Sequence, residues 1–153
     1  MAAASSSPST SFKPPPTPNP RALLHLQSQL VRGMFAERHH QALATGEQAN
    51  VDAFVALVTC AQEAQQFVQK RPDRTRAANT RNMVCVCHAV CPDETQGWIN
   101  CFRSVSNAAK KGQPITSTNC EELRHRLEKC TQRASTRLLH AALIPPETID
   151  VDL

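Results

Sequence analysis

The sequence predicts an all-α protein: a disulfide-linked antiparallel helical hairpin, preceded by a second helical hairpin and a disordered, Pro-rich N-terminal arm. Three observations predict it. Two segments, CPDETQGWINC (Cys91 to Cys101) and CEELRHRLEKC (Cys120 to Cys130), each hold nine residues between their cysteines. Apolar residues recur at intervals of three and four along most of the chain after residue 20, the period of one helix face. Residues 1 to 20 hold six of the eleven prolines and a single charged side chain, Lys13.

That arm, MAAASSSPSTSFKPPPTPNP, carries too little apolar side chain to offset its ordering entropy and reads as polyproline-type coil. It has neither the charged start and apolar middle of a secretory signal nor the Arg-rich amphipathic pattern of a usual mitochondrial presequence. No stretch approaches the run of about 18 uncharged apolar residues that a membrane helix needs. With 153 residues, no Tyr, five Phe and one Trp, the chain has few large rings with which to fill a core, so covalent staples carry more weight.

A first helix is expected from Arg21 to Ala44, with Leu23, Leu26, Leu30 and Met34 on one face, Leu24, Val31 and Phe35 widening it, and Gly46 as the stop. Asn50 offers an N-cap oxygen for a second helix running to Gln69, with Val51, Phe54, Val58, Ala61 and Val68 on one side and Pro72 closing it. These two form the predicted first hairpin, residues 21–71. Residues 72–87 then read as a basic linker. In the cysteine region, 88–140, Pro92 opens a helix whose stripe is Cys91, Thr95, Trp98, Cys101 or Phe102, Val105 and Ala108. SNAAKKGQPITST breaks the chain, and Thr118 with Glu121 resembles a capping box for a helix striped by Cys120, Leu123, Leu127, Cys130, Ala134 and Leu138. Gly97, inside a helix, costs about 1 kcal/mol relative to alanine, which close packing beside Trp98 would excuse. Residues 141–153 form an acidic tail.

Ten residues along a helix advance about 15 Å and end about 80° short of three full turns, so both cysteines of a pair sit near one edge of the apolar stripe. Cys101 and Cys120 share their sequence midpoint with Cys91 and Cys130, so one antiparallel register brings both pairs opposite each other. Of the three pairings open to four cysteines, only the nested one, Cys91 with Cys130 and Cys101 with Cys120, keeps both bridges within disulfide reach.

Twin nine-residue spacings on an antiparallel hairpin resemble the coiled-coil-helix-coiled-coil-helix (CHCH), or twin CX9C, proteins of mitochondria, over about residues 88 to 135. The resemblance implies oxidation in the intermembrane space by the mitochondrial disulfide relay, which explains disulfides without a secretory signal. It also implies an internal import signal, a docking cysteine flanked by aromatic and aliphatic residues, matched here by Trp98, Cys101, Phe102 and Val105. It further implies a respiratory-chain accessory subunit in the intermembrane space or on a membrane complex's surface facing it, or, as alternatives, a mitochondrial ribosome small-subunit protein in the matrix or a copper-handling assembly factor.

Three features stay open at this level. In MVCVCHAVC, Met83, Cys85, Cys87, His88 and Cys91 are soft ligands for copper(I), with Cys85 and Cys87 the candidate pair; alternatively one of these two bridges Cys60 or both stay free. The run Lys70, Arg71, Arg74, Arg76 and Arg81 can lie on ribosomal RNA or anionic lipid, yet it lacks interleaved aromatics, and a solvated linker is the simpler reading. His39 and His40, adjacent on a helix, diverge and make a poor joint metal site. No phosphate-cradling glycine loop, HExxH or CxxC is present, so the chain is expected to be non-catalytic and without a required cofactor; work among subunits of a large assembly is what the resemblance implies.

Overall fold

A computed structural model describes residues 17–33, 47–112 and 119–143. Among them the secondary structure is helical throughout: α1 (Arg21–Val31), α2 (Gln48–Lys70), a 3-10 turn (Pro72–Arg74), α3 (Thr75–Val90), α4 (Pro92–Lys110) and α5 (Asn119–Leu143). The all-α, disulfide-linked hairpin architecture is therefore present.

The arm does not stay apart from the fold. Pro18 and Pro20 are buried, and the Asn19 backbone N–H donates to Glu128 Oε2 on α5 at 2.8 Å. Proline presets its backbone, so docking these residues costs less entropy than the expectation of a disordered arm through residue 20 assumed. Residues 1–16 lie outside the described part.

α1 buries Leu23, Leu26 and Leu30, as its period requires, together with Gln27. It stops at Val31 rather than Ala44, because Gly33 takes a φ of 74° and its N–H closes on the Leu30 carbonyl. That left-handed conformation is open to glycine at little cost and ends the helix. Met34, Phe35 and Gly46 lie outside the described residues.

α2 starts at Gln48 behind Glu47, and Asn50 is not its cap. Asn50 instead accepts a hydrogen bond from Arg137 Nε of α5 at 3.2 Å. The buried face is Ala53, Phe54, Leu57 and Cys60, while Val51, Val58, Ala61 and Val68 are half-buried. The helix ends before Pro72, as expected.

The main correction concerns 72–87. This segment is not a linker; it forms the 3-10 turn and most of α3, which returns along α2. The first hairpin is thus α2–α3, with α1 packed across it and against α5. α3 buries only Ala78, Val86 and Cys87, too few to print an amphipathic stripe on a basic, polar segment. Tertiary contacts hold it: the Cys60–Cys85 disulfide, and a reciprocal amide pair in which Gln27 Nε2 donates to Asn82 Oδ1 (2.9 Å) and Asn82 Nδ2 to Gln27 Oε1 (3.0 Å). Gln27 Nε2 also donates to the Leu57 carbonyl at 2.9 Å, so one buried amide ties α1 to both α2 and α3.

α4 opens with Pro92 at its first turn, where a missing N–H leaves nothing unpaired. Thr95, Trp98 and Val105 are buried, and the Thr95 hydroxyl donates to the Cys91 carbonyl at 2.7 Å. A methyl group at Gly97 would meet Leu123 Cδ2 at 3.8 Å, ordinary contact, so close packing does not demand the glycine. α5 buries Cys120, Leu127, Ala134 and Leu138, and it runs on to Leu143 with Ala142 buried, so the expected tail begins as helix. In its first turns Arg124 is bracketed by Glu121 and Glu128, and the hydrogen bond from Arg124 holds the Glu121 carboxyl below the usual carboxylate range. Thr118, the other half of the expected capping box, lies outside the described residues.

Two cores result. The first gathers Leu23, Leu26, Leu30, Phe54, Leu57 and Leu138, with Val86 and Ala142. The second gathers Cys87, Cys91, Trp98 and Leu127, edged by Met83, Phe102, Leu123 and Cys130. α3 and α5 contribute to both: Val86 and Cys87, about 100° apart around α3, pack one into each core, and α5 supplies Leu127 to the second and Leu138 to the first.

Candidate functional site

The hairpin α4–α5 carries its two bridges in nested order. Cys91–Cys130 has a Cα separation of 6.2 Å and Cys101–Cys120 one of 5.6 Å, both inside the disulfide range. The Trp98 ring packs in the core beside Cys91 and Cys130, with Phe102 tilted against it at 5.2 Å between centroids. Trp98 and Val105 are buried, and Cys101 and Phe102 half-buried, so the four proposed import-signal residues share the inward face of α4. In the folded chain that face is the hairpin's own packing surface. Trp98 Nε1 is buried without a hydrogen-bond partner among the described residues.

The soft-ligand cluster is dispersed. Cys85 is bonded to Cys60, with a Cα separation of 5.8 Å, and a disulfide sulfur offers no thiolate to copper(I). Cys87, two residues on, points into the second core as a free thiol. Burial first, and then the Glu128 charge, push its pKa up to about 12, so it stays protonated at physiological pH. His88 is exposed. Of the alternatives for this pair, the fold shows Cys85 bridging Cys60 and Cys87 free, since residues two apart on a helix face about 200° away from each other. Cys91, Glu94 and Cys130 do place ligand-type atoms within 4.8 Å of one another, but two of those atoms are a disulfide.

The basic residues Lys70, Arg71, Arg74 and Arg76 are exposed around the α2–α3 turn, with Arg71 3.7 Å from Asp73. Arg81 leaves that group and lays its guanidinium 4.8 Å over the Phe67 ring of α2. The cation–π contact pairs a basic residue with an aromatic 14 positions earlier, which a scan for interleaved aromatics along one segment does not find.

Sequence reasoning weighed a Cys60 bridge without fixing its partner, and it missed the cleft between α2 and α3 that flanks this bridge. The usable signal was the helical step from Ala78 through Asn82 to Val86. It remained hidden because Asn82 is polar and is satisfied only by Gln27, 55 residues away. The chain matches no protein-family model, no curated protein and no solved structure.

Proposed function

We propose that this chain is a non-catalytic structural accessory subunit of a large mitochondrial assembly, with a respiratory-chain complex as the first candidate and the intermembrane space, or a surface facing it, as its place. The observation that carries the reading is the pair of nine-residue cysteine spacings closed in nested order across one helical hairpin, the feature in which the chain resembles the twin CX9C proteins. A doubly bridged hairpin is a rigid, chemically inert strut, suited to holding neighbours rather than to turnover. The mitochondrial disulfide relay supplies the bridges in this reading. Because Trp98 and Val105 are buried after folding, any recognition of that face by the relay takes place on the unfolded chain.

Replacing Trp98 or Val105 would confound import with folding, so the import arm is tested on cysteines. Cys101→Ser and Cys120→Ser break the same bridge, and only the former removes the docking cysteine. Mitochondrial accumulation should collapse for Cys101→Ser and persist for Cys120→Ser; equal accumulation would remove the import assignment.

A second reading, a mitochondrial ribosome small-subunit protein in the matrix, is favoured by the exposed cluster Lys70, Arg71, Arg74 and Arg76, whose charge suits phosphate. Native fractionation of detergent-solubilised mitochondria, following this chain by mass spectrometry beside respiratory and ribosomal markers, separates the two. Comigration with a respiratory complex supports the first reading and comigration with the small ribosomal subunit the second. Migration as a free small species would contradict both.

A further inference from the structure

Two clefts among the described residues meet at a place that the α4–α5 hairpin does not use. α2 and α3 leave between them a cleft of about 520 Å³ whose walls include Cys60, Glu63, Phe67, Arg81, Cys85 and His88. A neighbouring cleft, lined by Asp52, Val55 and Thr59, ends on the same three residues, Cys60, Cys85 and His88. The Cys60–Cys85 bridge therefore lies where two clefts join, and neither cleft includes a cysteine of the other two bridges. Cys60 is only 3% exposed and Cys85 is half-buried, so of the two residues Cys85 is the more open to solvent.

The charges around that sulfur are arranged with some economy. On α3, Arg81 stands one turn before Cys85 and His88 one turn after it, both exposed. On α2, Glu63 stands one turn beyond Cys60. The cleft thus offers a guanidinium, an imidazole and a single carboxylate around a reachable disulfide, in a volume within the usual range for small-molecule sites. The complementary molecule is a thiol of peptide size that carries two carboxylates and one ammonium group.

We propose that the α2–α3 cleft is a thiol–disulfide exchange site for a tripeptide thiol of the glutathione class, which forms a mixed disulfide on Cys85. The ligand thiolate attacks Cys85 Sγ, and the new ligand–Cys85 S–S bond forms as the Cys60–Cys85 bond breaks. The electron pair of the broken bond goes to Cys60 Sγ, which takes a proton from solvent and stays as a buried thiol. One disulfide is consumed and one is made, so no outside oxidant or reductant is needed. Cys60 as a neutral thiol suits its surroundings, since it packs in the aliphatic core with Phe54 and Leu57. Arg81 and His88 hold the ligand's carboxylates and Glu63 its ammonium group. This site is independent of the accessory-subunit reading.

The experiment treats the oxidised full-length protein near neutral pH with glutathione or with cysteamine, a thiol without carboxylates, and follows each cysteine by quenched alkylation and peptide mass spectrometry. The glutathionyl adduct should appear on Cys85 before Cys91–Cys130 or Cys101–Cys120 opens. In Arg81→Gln/His88→Gln the glutathione rate should fall about fivefold relative to the cysteamine rate, as loss of two exposed contacts to the ligand's carboxylates allows. The ratio of the two rates on one protein is the readout, because a general loosening of the variant would raise or lower both. First adduct formation at another cysteine, or an unchanged ratio, would overturn the proposal.

Discussion

The aliphatic core and the hairpin core differ in how they hold their helices. At the α1–α2 end, Leu23, Leu26, Leu30, Phe54, Leu57 and Leu138 interlock from three helices, and burial of side chains alone supplies most of the cohesion. At the α4–α5 end the buried core among the described residues is Trp98 and Leu127 with Cys87 and Cys91, and two covalent bridges close the hairpin. A two-helix layer has little interior to fill, so its stability comes from restricting the unfolded chain rather than from area removed from water. The two ends should consequently respond to different insults: the first to lost volume, the second to lost bridges.

The largest effect is expected at the hairpin. Bridge loops of 39 and 19 residues correspond to about 4 and about 3 kcal/mol of unfolded-state restriction, so Cys91→Ser/Cys130→Ser should cost more than Cys101→Ser/Cys120→Ser in urea melts. Removing both should release α4 from α5 while hydrogen exchange at Leu57 and Leu26 stays protected. Loss of protection at both ends together would show that the cores are one cooperative unit.

Next comes Leu138→Ala, which empties volume at a fully buried side chain in the aliphatic core and should cost about 2 to 5 kcal/mol with all three bridges intact. A loss below 1 kcal/mol would mean that bridges, not packing, hold that end as well.

A smaller change sharpens the comparison in the other direction. Gly97→Ala should stabilise the hairpin by about 1 kcal/mol, since the added methyl meets Leu123 at 3.8 Å and helix interiors favour alanine. Destabilisation there would show that α4 and α5 approach more closely than this.

The smallest effect is a pH dependence. Cys87 has a folded-state pKa of about 12 against an ordinary value of 9.0. Below pH 9 the thiol is protonated folded or unfolded, and its contribution is fully present. As pH rises from 9 towards 12 the unfolded chain loses the proton first, so stability falls. The difference between wild type and Cys87→Ala should decline over that window in rapid urea titrations, and a flat difference would contradict the buried placement of Cys87.

How much of this was legible divides along the same line. The hairpin was readable because its constraint is arithmetical: the cysteine pairs share a midpoint, and helix geometry leaves one nested register. α1 was readable in its Leu23–Leu26–Leu30 face but not in its length, since a glycine inside an apolar pattern does not announce that its φ is positive. α3 reads as linker in the sequence because its basic, exposed residues outnumber Ala78, Val86 and Cys87, and because its anchors, Cys60 and Gln27, lie on other helices. Asn50 has the sequence position of a cap and instead meets Arg137, a partner 87 residues away that local sequence rules cannot supply. Cys85 and Cys87 part for a geometric reason already present in the helix: alternate residues diverge, one to the Cys60 bridge and the other into the second core.

The most direct test of the two-core account is a thiol census on the native protein. Oxidised chain is denatured without reductant, alkylated, digested and mapped for linked peptides. The account predicts one alkylated cysteine, Cys87, and three linked pairs, Cys60–Cys85, Cys91–Cys130 and Cys101–Cys120. Three or more alkylated cysteines, or any peptide linking Cys91 to Cys101 or Cys120, would contradict it.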